Sequence, residues 1–219
     1  MLASEYLKKN LIKKKRITLL LSGGESVKLL YNQLFNLIKK DTKIEIFLTD
    51  ERIVKNRLYL NENNLKNILI KSDFGEYNIF SLFNELKKKK KISTLIKHYN
   101  KKNFDFAFLG MGSDGHIASL FSDMDNFNTL SSLKEKRSLI ITEKIGKPFC
   151  KRITVNLSLI LSARKIFVIV KDKSRYNLLR FILKNKLFNY PIYKLLNYGR
   201  KKIKVIYNDK FLRIQKYLN

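Results

Sequence analysis

Several residue types that stabilise small proteins are scarce in this sequence. Its 219 residues include one cysteine, two histidines, two prolines and no tryptophan. A single cysteine, Cys150, excludes an internal disulfide framework, and we expect a reducing compartment. One cysteine with only His98 and His116 leaves too few soft ligands for a structural zinc site. Protein classes that rely on disulfides or zinc for stability are therefore excluded.

Long apolar runs are also missing. The apolar run at residues 17–21 follows a basic stretch, residues 13–16, but it is far below the roughly 18 to 20 residues that span a bilayer. It also lacks a small-residue cleavage site. We expect a soluble, cytoplasmic protein with no membrane partner.

Acidic residues are few: 18 Asp and Glu stand against 46 Lys and Arg, for a net charge of +28. Clustered cations bind nucleic acid by neutralising phosphates, but these lysines are scattered, and the one long run, residues 87–91, is predicted to be a loop before a helix. No zinc-finger spacing, aromatic RNP-type strand or glycine-clamped RNA loop is present. The amino-acid composition as a whole is biased in the way that A+T-rich codons produce. We therefore interpret the excess of positive charge as mutational drift and expect no specific nucleic-acid partner.

Apolar residues are abundant, at 45% of the chain, and apolar blocks of strand length alternate with segments of helical spacing. Several blocks are nearly all apolar, which is typical of strands covered by helices on both faces. Without repeats or linkers, the pattern predicts one α/β domain over residues 1–219, with a doubly wound, mostly parallel, Rossmann-like sheet. The predicted strands are residues 17–21, 44–48, 104–109, 138–141, 153–155, 166–170 and 203–207, and helical spacing covers residues 27–38, 65–69 and 176–183.

Ligands of such sheets bind beyond the carboxyl ends of the strands, so the loops there are the candidate site. Ser22, Gly23 and Gly24 follow the first strand and precede a predicted helix, whose first amides favour a phosphate. A Gly-Gly turn between strand and helix is also a common structural device. This signal is therefore weak alone.

Three cations also follow predicted strands or begin them. Arg52 closes the sequence Asp-Glu-Arg at residues 50–52, which forms either a solvated ion pair or a ligand-facing arginine held by its neighbours. Arg152 and Lys173 are either solvated cations or donors of charge-assisted bonds to a phosphate.

The strongest signal is the segment Gly-Met-Gly-Ser-Asp-Gly-His-Ile-Ala-Ser-Leu-Phe at residues 110–121. Its three glycines allow close approach of backbone to a ligand, and we expect His116 to enter a helical stretch. A neutral histidine can take a proton from water, and Asp114 is placed to contact it or a substrate hydroxyl. The alternative is a buried histidine that satisfies its own loop. His98 is predicted to be a surface residue of a helix.

Together the motifs resemble those of the 6-phosphogluconolactonases in order and approximate spacing. The motifs are Ser-Gly-Gly at 22–24, Asp-Glu-Arg at 50–52, the 110–121 segment, Arg-Ile-Thr at 152–154 and Ser-Ala-Arg at 162–164. The resemblance spans roughly residues 17–173. It implies hydrolysis of 6-phospho-D-glucono-1,5-lactone to 6-phospho-D-gluconate, the second step of the oxidative pentose phosphate pathway, without metal or organic cofactor. We expect a monomer whose partner is this small sugar-phosphate lactone.

The resemblance also implies roles for individual residues. His116 would activate water, Asp114 would position substrate or imidazole, and Arg52 would bind substrate and stabilise negative charge. The phosphate cradle would consist of Ser22, Gly23, Gly24, Arg152 and Lys173. Because a lactone is an activated ester, one base, one cation and a phosphate anchor suffice for its hydrolysis.

The sequence departs from the family pattern at Glu25, where Ser or Thr is usual, and at Val27 and Ser122, where Pro is usual. Glu25 opposes a phosphate unless it turns outward or pairs with a lysine. The family usually has a Ser-Asn pair about ten residues after the Asp-Glu-Arg motif. The sequence Asn-Glu-Asn-Asn at residues 61–64 matches this pair only loosely, so its asparagine is not assigned to one position. The nearest alternative is a glucosamine-6-phosphate deaminase or isomerase, which continues its Asp-Gly-His motif differently. The other alternative is a catalytically weakened protein that binds a sugar phosphate or a polyanion.

Overall fold

The computed structural model describes residues 2–11, 14–72 and 75–218. Its main sheet has seven strands in the order β10-β9-β8-β5-β1-β2-β4, all parallel except β10. They are β1 (Arg16–Leu21), β2 (Lys43–Leu48), β4 (Tyr77–Phe80), β5 (Phe106–Gly110), β8 (Lys165–Ile169), β9 (Ile203–Tyr207) and β10 (Lys210–Phe211). The strand β1 lies inside the sheet, between β2 and β5: Leu19 pairs with Ile46 of β2 and with Phe106 of β5.

A second, smaller sheet is antiparallel and has the order β3-β7-β6. It comprises β3 (Asp50–Arg52), β6 (Leu139–Ile141) and β7 (Arg152–Val155). The strands predicted at residues 138–141 and 153–155 therefore exist, but they lie outside the parallel sheet. The short strand β3 begins only one residue after β2 ends, so the chain passes from one sheet into the other at Thr49.

Helices flank the main sheet, which confirms the predicted α/β class with a mostly parallel sheet. They are α1 (Ala3–Leu11), α2 (Lys28–Asn36), α3 (Asn61–Leu69), α4 (Leu82–Lys87), α5 (Ile92–Asn100), α6 (Phe127–Leu130), α7 (Leu157–Ile160), α8 (Lys173–Lys184) and α9 (Pro191–Gly199). The lysine run joins α4 to α5, as predicted. None of the helices in the described ranges is long and apolar enough to cross a membrane.

The core lies between the main sheet and its helices. The strand β1 is buried from Ile17 to Leu21, and Phe108 of β5 stacks on Phe167 of β8 with ring centroids 5.0 Å apart. Burying a large apolar side chain of this kind stabilises the fold by about 1.5 to 3 kcal/mol. Because β1, β2, β5 and β8 are close neighbours in this sheet, the loops at their carboxyl ends emerge side by side.

The first helix is fastened to a turn near the other end of the chain. Asp209, between β9 and β10, accepts hydrogen bonds from the backbone amides of Ala3 (to its carbonyl, 2.9 Å) and Ser4 (to Oδ1, 2.8 Å), and its Oδ2 accepts one from Ser4 Oγ at 2.7 Å. These bonds hold α1 against the β9 side of the sheet.

Candidate active site

The loops after β1, β2 and β5 are joined by polar contacts. Ser22 Oγ lies 3.1 Å from Thr49 Oγ1, Ser119 Oγ donates to Asp50 Oδ2 at 2.7 Å, and Ser26 Oγ donates to the Met111 carbonyl at 3.3 Å. The predicted motifs at residues 22–24, 50–52 and 110–121 thus share one edge of the main sheet.

Gly23 is required by close packing against α3. A Cβ on Gly23 would lie 2.4 Å from Asn61 Cβ and 2.7 Å from its Cα, whereas a Cβ on Gly24 would meet nothing within 4 Å. The helix α2 begins only at Lys28, so a turn separates these glycines from the helix that was predicted to follow directly. The two glycines therefore differ in function: Gly23 allows two segments to touch, and Gly24 is sterically free.

His116 and Asp114 form the most polar pair on the glycine-rich loop. His116 Nδ1 lies 2.5 Å from Asp114 Oδ1, and the backbone amide of His116 donates to the same oxygen at 3.1 Å. Burial alone raises the pKa of Asp114, but the hydrogen bonds and charge of His116 outweigh that effect and lower it. An ionised Asp114 keeps the imidazole proton on Nδ1, which leaves the Nε2 lone pair free to accept a proton.

The expectation that His116 enters a helical stretch is wrong. Residues 111–121 form an irregular loop, in which Met111 bridges to Ile117 and Ile117 to Leu120. Gly115 has a positive φ of 81°, which a glycine adopts without strain. Close spacing of three glycines permits this tight loop and prevents a regular helix.

Gly112 leaves the space that the histidine occupies. A Cβ on Gly112 would lie 2.1 Å from His116 Nδ1 and 2.6 Å from Asp114 Oδ1. The side chain of His116 remains 29% exposed, so it is accessible to a small substrate rather than enclosed in the core.

Phe121, which sequence reasoning did not single out, links the histidine to a buried arginine. The His116 and Phe121 rings lie 4.3 Å apart at an interplanar angle of 30°, and the Arg152 guanidinium lies 5.8 Å from the centre of the Phe121 ring. Arg152 is only 3% exposed, and it donates from Nε to the Ile145 carbonyl and from Nη2 to the Pro148 carbonyl. These contacts make Arg152 a support beneath Phe121.

Arg52 is half-buried on the strand next to Arg152. The two arginines are directly opposite in the antiparallel β3–β7 pair, so their side chains lie on the same face of the second sheet. Arg52 Nη1 donates to the Tyr59 carbonyl at 2.5 Å, and its buried Nε has no hydrogen-bond acceptor among the described residues. Like charges on one face and an unused donor favour an anionic ligand here.

Glu51, between Asp50 and Arg52, caps α3 from a distance. It is fully buried; its Oε1 accepts from the amides of Arg52 (2.8 Å) and Asn61 (2.7 Å), and its Oε2 accepts from the amide of Glu62 (2.8 Å). Leu60, at the helix start, offers no side-chain cap. One carboxylate therefore fixes both the backbone of Arg52 and the first turn of α3.

Burial raises the pKa of Glu51 from 4.5 to about 7, although the amides of Glu62, Asn61 and Arg52 act against this and the charge of Asp50 adds to it. Because the native pKa lies above the unfolded value, the native state holds the extra proton between the two values. This contribution to stability is therefore largest at low pH and is lost as pH rises through about 7. We expect the free energy of unfolding of the wild type, measured in urea relative to Glu51→Gln, to fall by up to about 3 kcal/mol from pH 5 to pH 8.

The matched control is Glu85→Gln. A hydrogen bond from Lys90 is the main cause that lowers the pKa of Glu85, so its titration lies below this pH range. Its stability relative to wild type should stay constant between pH 5 and pH 8. Parallel pH curves for wild type and Glu51→Gln would contradict a titration of Glu51 near neutrality.

The asparagines of residues 61–64 have separate roles. Asn61 Nδ2 donates to the Asp50 carbonyl and to Asp50 Oδ2, at 3.0 and 3.1 Å, while Asn63 Nδ2 donates to the Arg57 carbonyl. Asn64 Nδ2 reaches the Gly23 carbonyl at 3.4 Å. Asn61 is 2% exposed, and its Oδ1 has no partner among the described residues. Of this group, Asn61 is the one that is buried among the loops that follow β1, β2 and β5.

Two cations lie in the first turn of α8, after β8: Lys173, which the sequence analysis singled out, and Arg175, which it did not. Lys173 is exposed at the first position of α8, whereas Arg175 donates from Nε to the Met111 carbonyl at 3.2 Å and forms an ion pair with Asp172. The first turn of the helix directs residue 175, not residue 173, toward the glycine-rich loop. Sequence spacing alone did not distinguish them.

The unusual Glu25 is exposed to solvent and lies near a lysine. Its side chain is 64% exposed, and Lys28 Nζ lies 4.0 Å from Oε1. Repulsion between this carboxylate and an anion bound at Ser22 is therefore small, since both solvent and Lys28 screen it. No cluster of His, Cys, Asp and Glu suited to a metal ion occurs among the residues that the structure describes.

Comparisons with known proteins show which family the chain resembles. A 6-phosphogluconolactonase of Helicobacter pylori is 28% identical over 212 residues, which cover 93% of this chain and 88% of the relative. A crystal structure of a 6-phosphogluconolactonase from Shewanella baltica superposes with a TM-score of 0.70 at 19% identity, over 93% of this chain and 91% of that one. A monomeric glucosamine-6-phosphate deaminase superposes with a TM-score of 0.66 at 17% identity, over 93% and 90%.

The likeness to these two solved structures extends to the fold alone, since both identities are low. The sequence profile of the family described as glucosamine-6-phosphate isomerases/6-phosphogluconolactonase matches residues 2–203, which is most of the chain. The chain belongs to the glucosamine-6-phosphate isomerase/6-phosphogluconolactonase family.

Proposed function

We propose that the protein hydrolyses 6-phospho-D-glucono-1,5-lactone to 6-phospho-D-gluconate, with water activated by His116. The observation that carries this proposal is the bond between His116 Nδ1 and Asp114 Oδ1, which leaves Nε2 as a base on an accessible loop. The family membership and the name of the Helicobacter pylori relative support the same reaction.

The side chains of His116, Asp114 and Arg52 suffice for the hydrolysis step. Nε2 of His116 takes a proton from water while the water oxygen bonds to the lactone carbonyl carbon. When the bond from that carbon to the ring oxygen breaks, the imidazolium returns the proton to the ring oxygen, which becomes a hydroxyl. Arg52, with its unused Nε donor, is the proposed stabiliser of negative charge on the substrate.

The fold does not separate a lactonase from a deaminase, because both superpose on this chain. The site favours the lactonase. A deaminase needs additional free acids for ring opening and proton transfer, but Asp50 is held by Thr49, Asn61 and Ser119, and Glu51 by three amides. Of the acids in the motifs at residues 50–52 and 110–121, this leaves Asp114, which is the partner of His116.

The phosphate anchor is proposed at the edge between the loops after β1 and β8. Ser22, Gly23 and Gly24 stay candidates by position, as does the exposed Lys173, and Arg175 joins them through its contact with Met111. Arg152, which is buried under Phe121, would act by supporting the site. We further propose a monomer in the cytoplasm, where the free thiol of the buried Cys150 stays reduced.

The direct test is a hydrolysis assay in which the lactone is generated in situ and its spontaneous hydrolysis is subtracted. We expect the protein to accelerate ring opening well above the spontaneous rate. A parallel assay for ammonia release from glucosamine 6-phosphate should give no signal.

Two results of these assays would contradict the proposal, and they can be told apart. Ammonia release without lactone hydrolysis would assign the protein to the deaminases. Binding of 6-phosphogluconate without turnover of either substrate would indicate the catalytically weakened binding protein.

A further inference from the structure

A basic cleft lies at the amino-terminal ends of β8 and β9, the edge of the sheet opposite the catalytic loops. Its volume is about 250 Å³. The cleft is lined chiefly by Tyr6, Arg164, Lys165, Lys201, Lys202 and Lys204. Five of these six side chains are cationic, and no carboxylate lines the cleft.

The cleft lysines have no acidic partners within the part of the chain that the structure describes; Lys165 Nζ donates instead to Asn10 Oδ1 at 2.6 Å, and Lys202 Nζ donates to the Leu161 carbonyl. Arg164 lies 3.7 Å from Asp105, but that carboxylate is already bound by Lys14 at 2.6 Å. Among the described residues, no carboxylate lies within 4.0 Å of the four cleft lysines. Five cationic side chains therefore meet in the cleft without a carboxylate among its lining residues.

Two of these ammonium groups approach the same aromatic ring. Lys165 Nζ lies 5.3 Å from the centre of the Tyr6 ring and Lys204 Nζ 5.0 Å from it. Both lysines are half-buried. Like charges that line one cleft repel, and a multivalent anion bound among them converts the repulsion into attraction. Burial, and after it the charge of Arg137, lowers the pKa of Lys202.

The same ring indicates which anion fits. Nucleobases bind by stacking on open aromatic faces. Tyr6 is approached by both ammonium groups, and its ring also contacts Phe167 and Phe211 edge-on, at 6.2 and 5.4 Å. The cleft thus offers charge without a stacking platform, and its size suits a few phosphate groups rather than a folded nucleic acid.

We propose that the basic cleft binds a compact oligophosphate, with the ammonium groups of Lys165 and Lys204 as its central contacts. The ligand chemistry is that of a chain of phosphates, supplied either by free polyphosphate or by the triphosphate of a nucleotide. The site is separate from the catalytic loops, because the length of β8, about 16 Å, lies between the two edges.

The test is isothermal titration calorimetry of the full-length protein at constant ionic strength. Tripolyphosphate, ATP, orthophosphate and a short oligothymidylate are the four probes. We expect tripolyphosphate to bind with a stoichiometry of one and orthophosphate at least about tenfold more weakly, since fewer charge-assisted bonds form. ATP binding as tightly as tripolyphosphate would identify the nucleotide triphosphate as a possible source, and weaker ATP binding would identify free polyphosphate.

The variant Lys165→Gln/Lys204→Gln should weaken tripolyphosphate binding by about tenfold or more. The control Lys87→Gln/Lys91→Gln removes the same charge from two exposed lysines of the α4–α5 segment and should change affinity less than about twofold. Because Lys165 and Lys204 are half-buried, the exposed Lys201→Glu provides a second variant in case the first does not fold. Lactone hydrolysis should be unchanged in every variant.

Equal weakening by the cleft and control variants would overturn the proposal, since it would show attraction to net charge only. Tighter binding of a short oligothymidylate than of tripolyphosphate would also overturn it, in favour of a nucleic-acid surface. Neither result depends on whether the protein hydrolyses the lactone.

Discussion

Replacing His116 with alanine is expected to lower kcat for lactone hydrolysis by about 100-fold or more, the usual loss when a general base is removed. The fold should persist, because His116 is partly exposed and its neighbours Gly112 and Phe121 remain in place. The measurement is the rate of ring opening above the spontaneous rate, with unfolding in urea as a check on stability.

His98→Ala is the matched control. His98 also packs on a phenylalanine, Phe80, with ring centroids 4.9 Å apart, but it lies on an exposed position of α5 and not on the loops after β1, β2 and β5. Its loss should leave kcat near the wild-type value. If His116→Ala turned over the lactone at the same rate as His98→Ala, His116 would have no part in the reaction.

Gly23→Ala is expected to destabilise the protein by about 2 to 3 kcal/mol or more and to reduce activity as well. The added methyl group would overlap the backbone of Asn61, which cannot move without dragging the amide that Glu51 holds and the side chain that binds Asp50. Urea unfolding at pH 7 and the lactone assay measure the two effects.

The adjacent Gly24→Ala separates packing from the loss of a glycine as such. Nothing lies within 4 Å of the added Cβ, and Gly24 does not have a positive φ. Its stability should stay within about 1 kcal/mol of wild type, with a slight gain from the less flexible unfolded chain. Comparable losses in the two variants would show that the overlap at Gly23 is relieved by small shifts of the loop.

The sequence was sufficient to predict five of the seven strands of the main sheet, because strands such as β1 and β8 are nearly continuous apolar runs. The strands β4 and β10, which are short and partly exposed, carry no such run and were not predicted. Nor did the sequence reveal the second sheet. The strand β3 is three polar residues, Asp50–Arg52, and carries no apolar alternation, so only its pairing with β7 makes it a strand. The apolar residues of β6 and β7 resemble those of the main sheet, and periodicity does not say which strand pairs with which.

The motifs located the candidate site, but not the partners of its residues. Asp114 and His116 are two residues apart, so their contact could be predicted from sequence. The cap that Glu51 places on α3 depends on how the chain returns after Tyr59, and the choice of Arg175 over Lys173 depends on the rotation of α8. Such contacts are set by tertiary packing, which no local pattern encodes.

The position of β1 between β2 and β5 governs how the sheet can form during synthesis of the chain. On the ribosome, β2 becomes available soon after β1, but β5, the other neighbour of β1, follows only at Phe106–Gly110. At about 5 to 20 residues per second, the leucine-rich edge of β1 waits roughly 4 to 18 seconds for its second partner. Asp209, which fastens the first helix, is made later still. Until β5 is complete, the nascent chain carries an open, apolar strand edge, the kind of edge that chaperones on the ribosome shield.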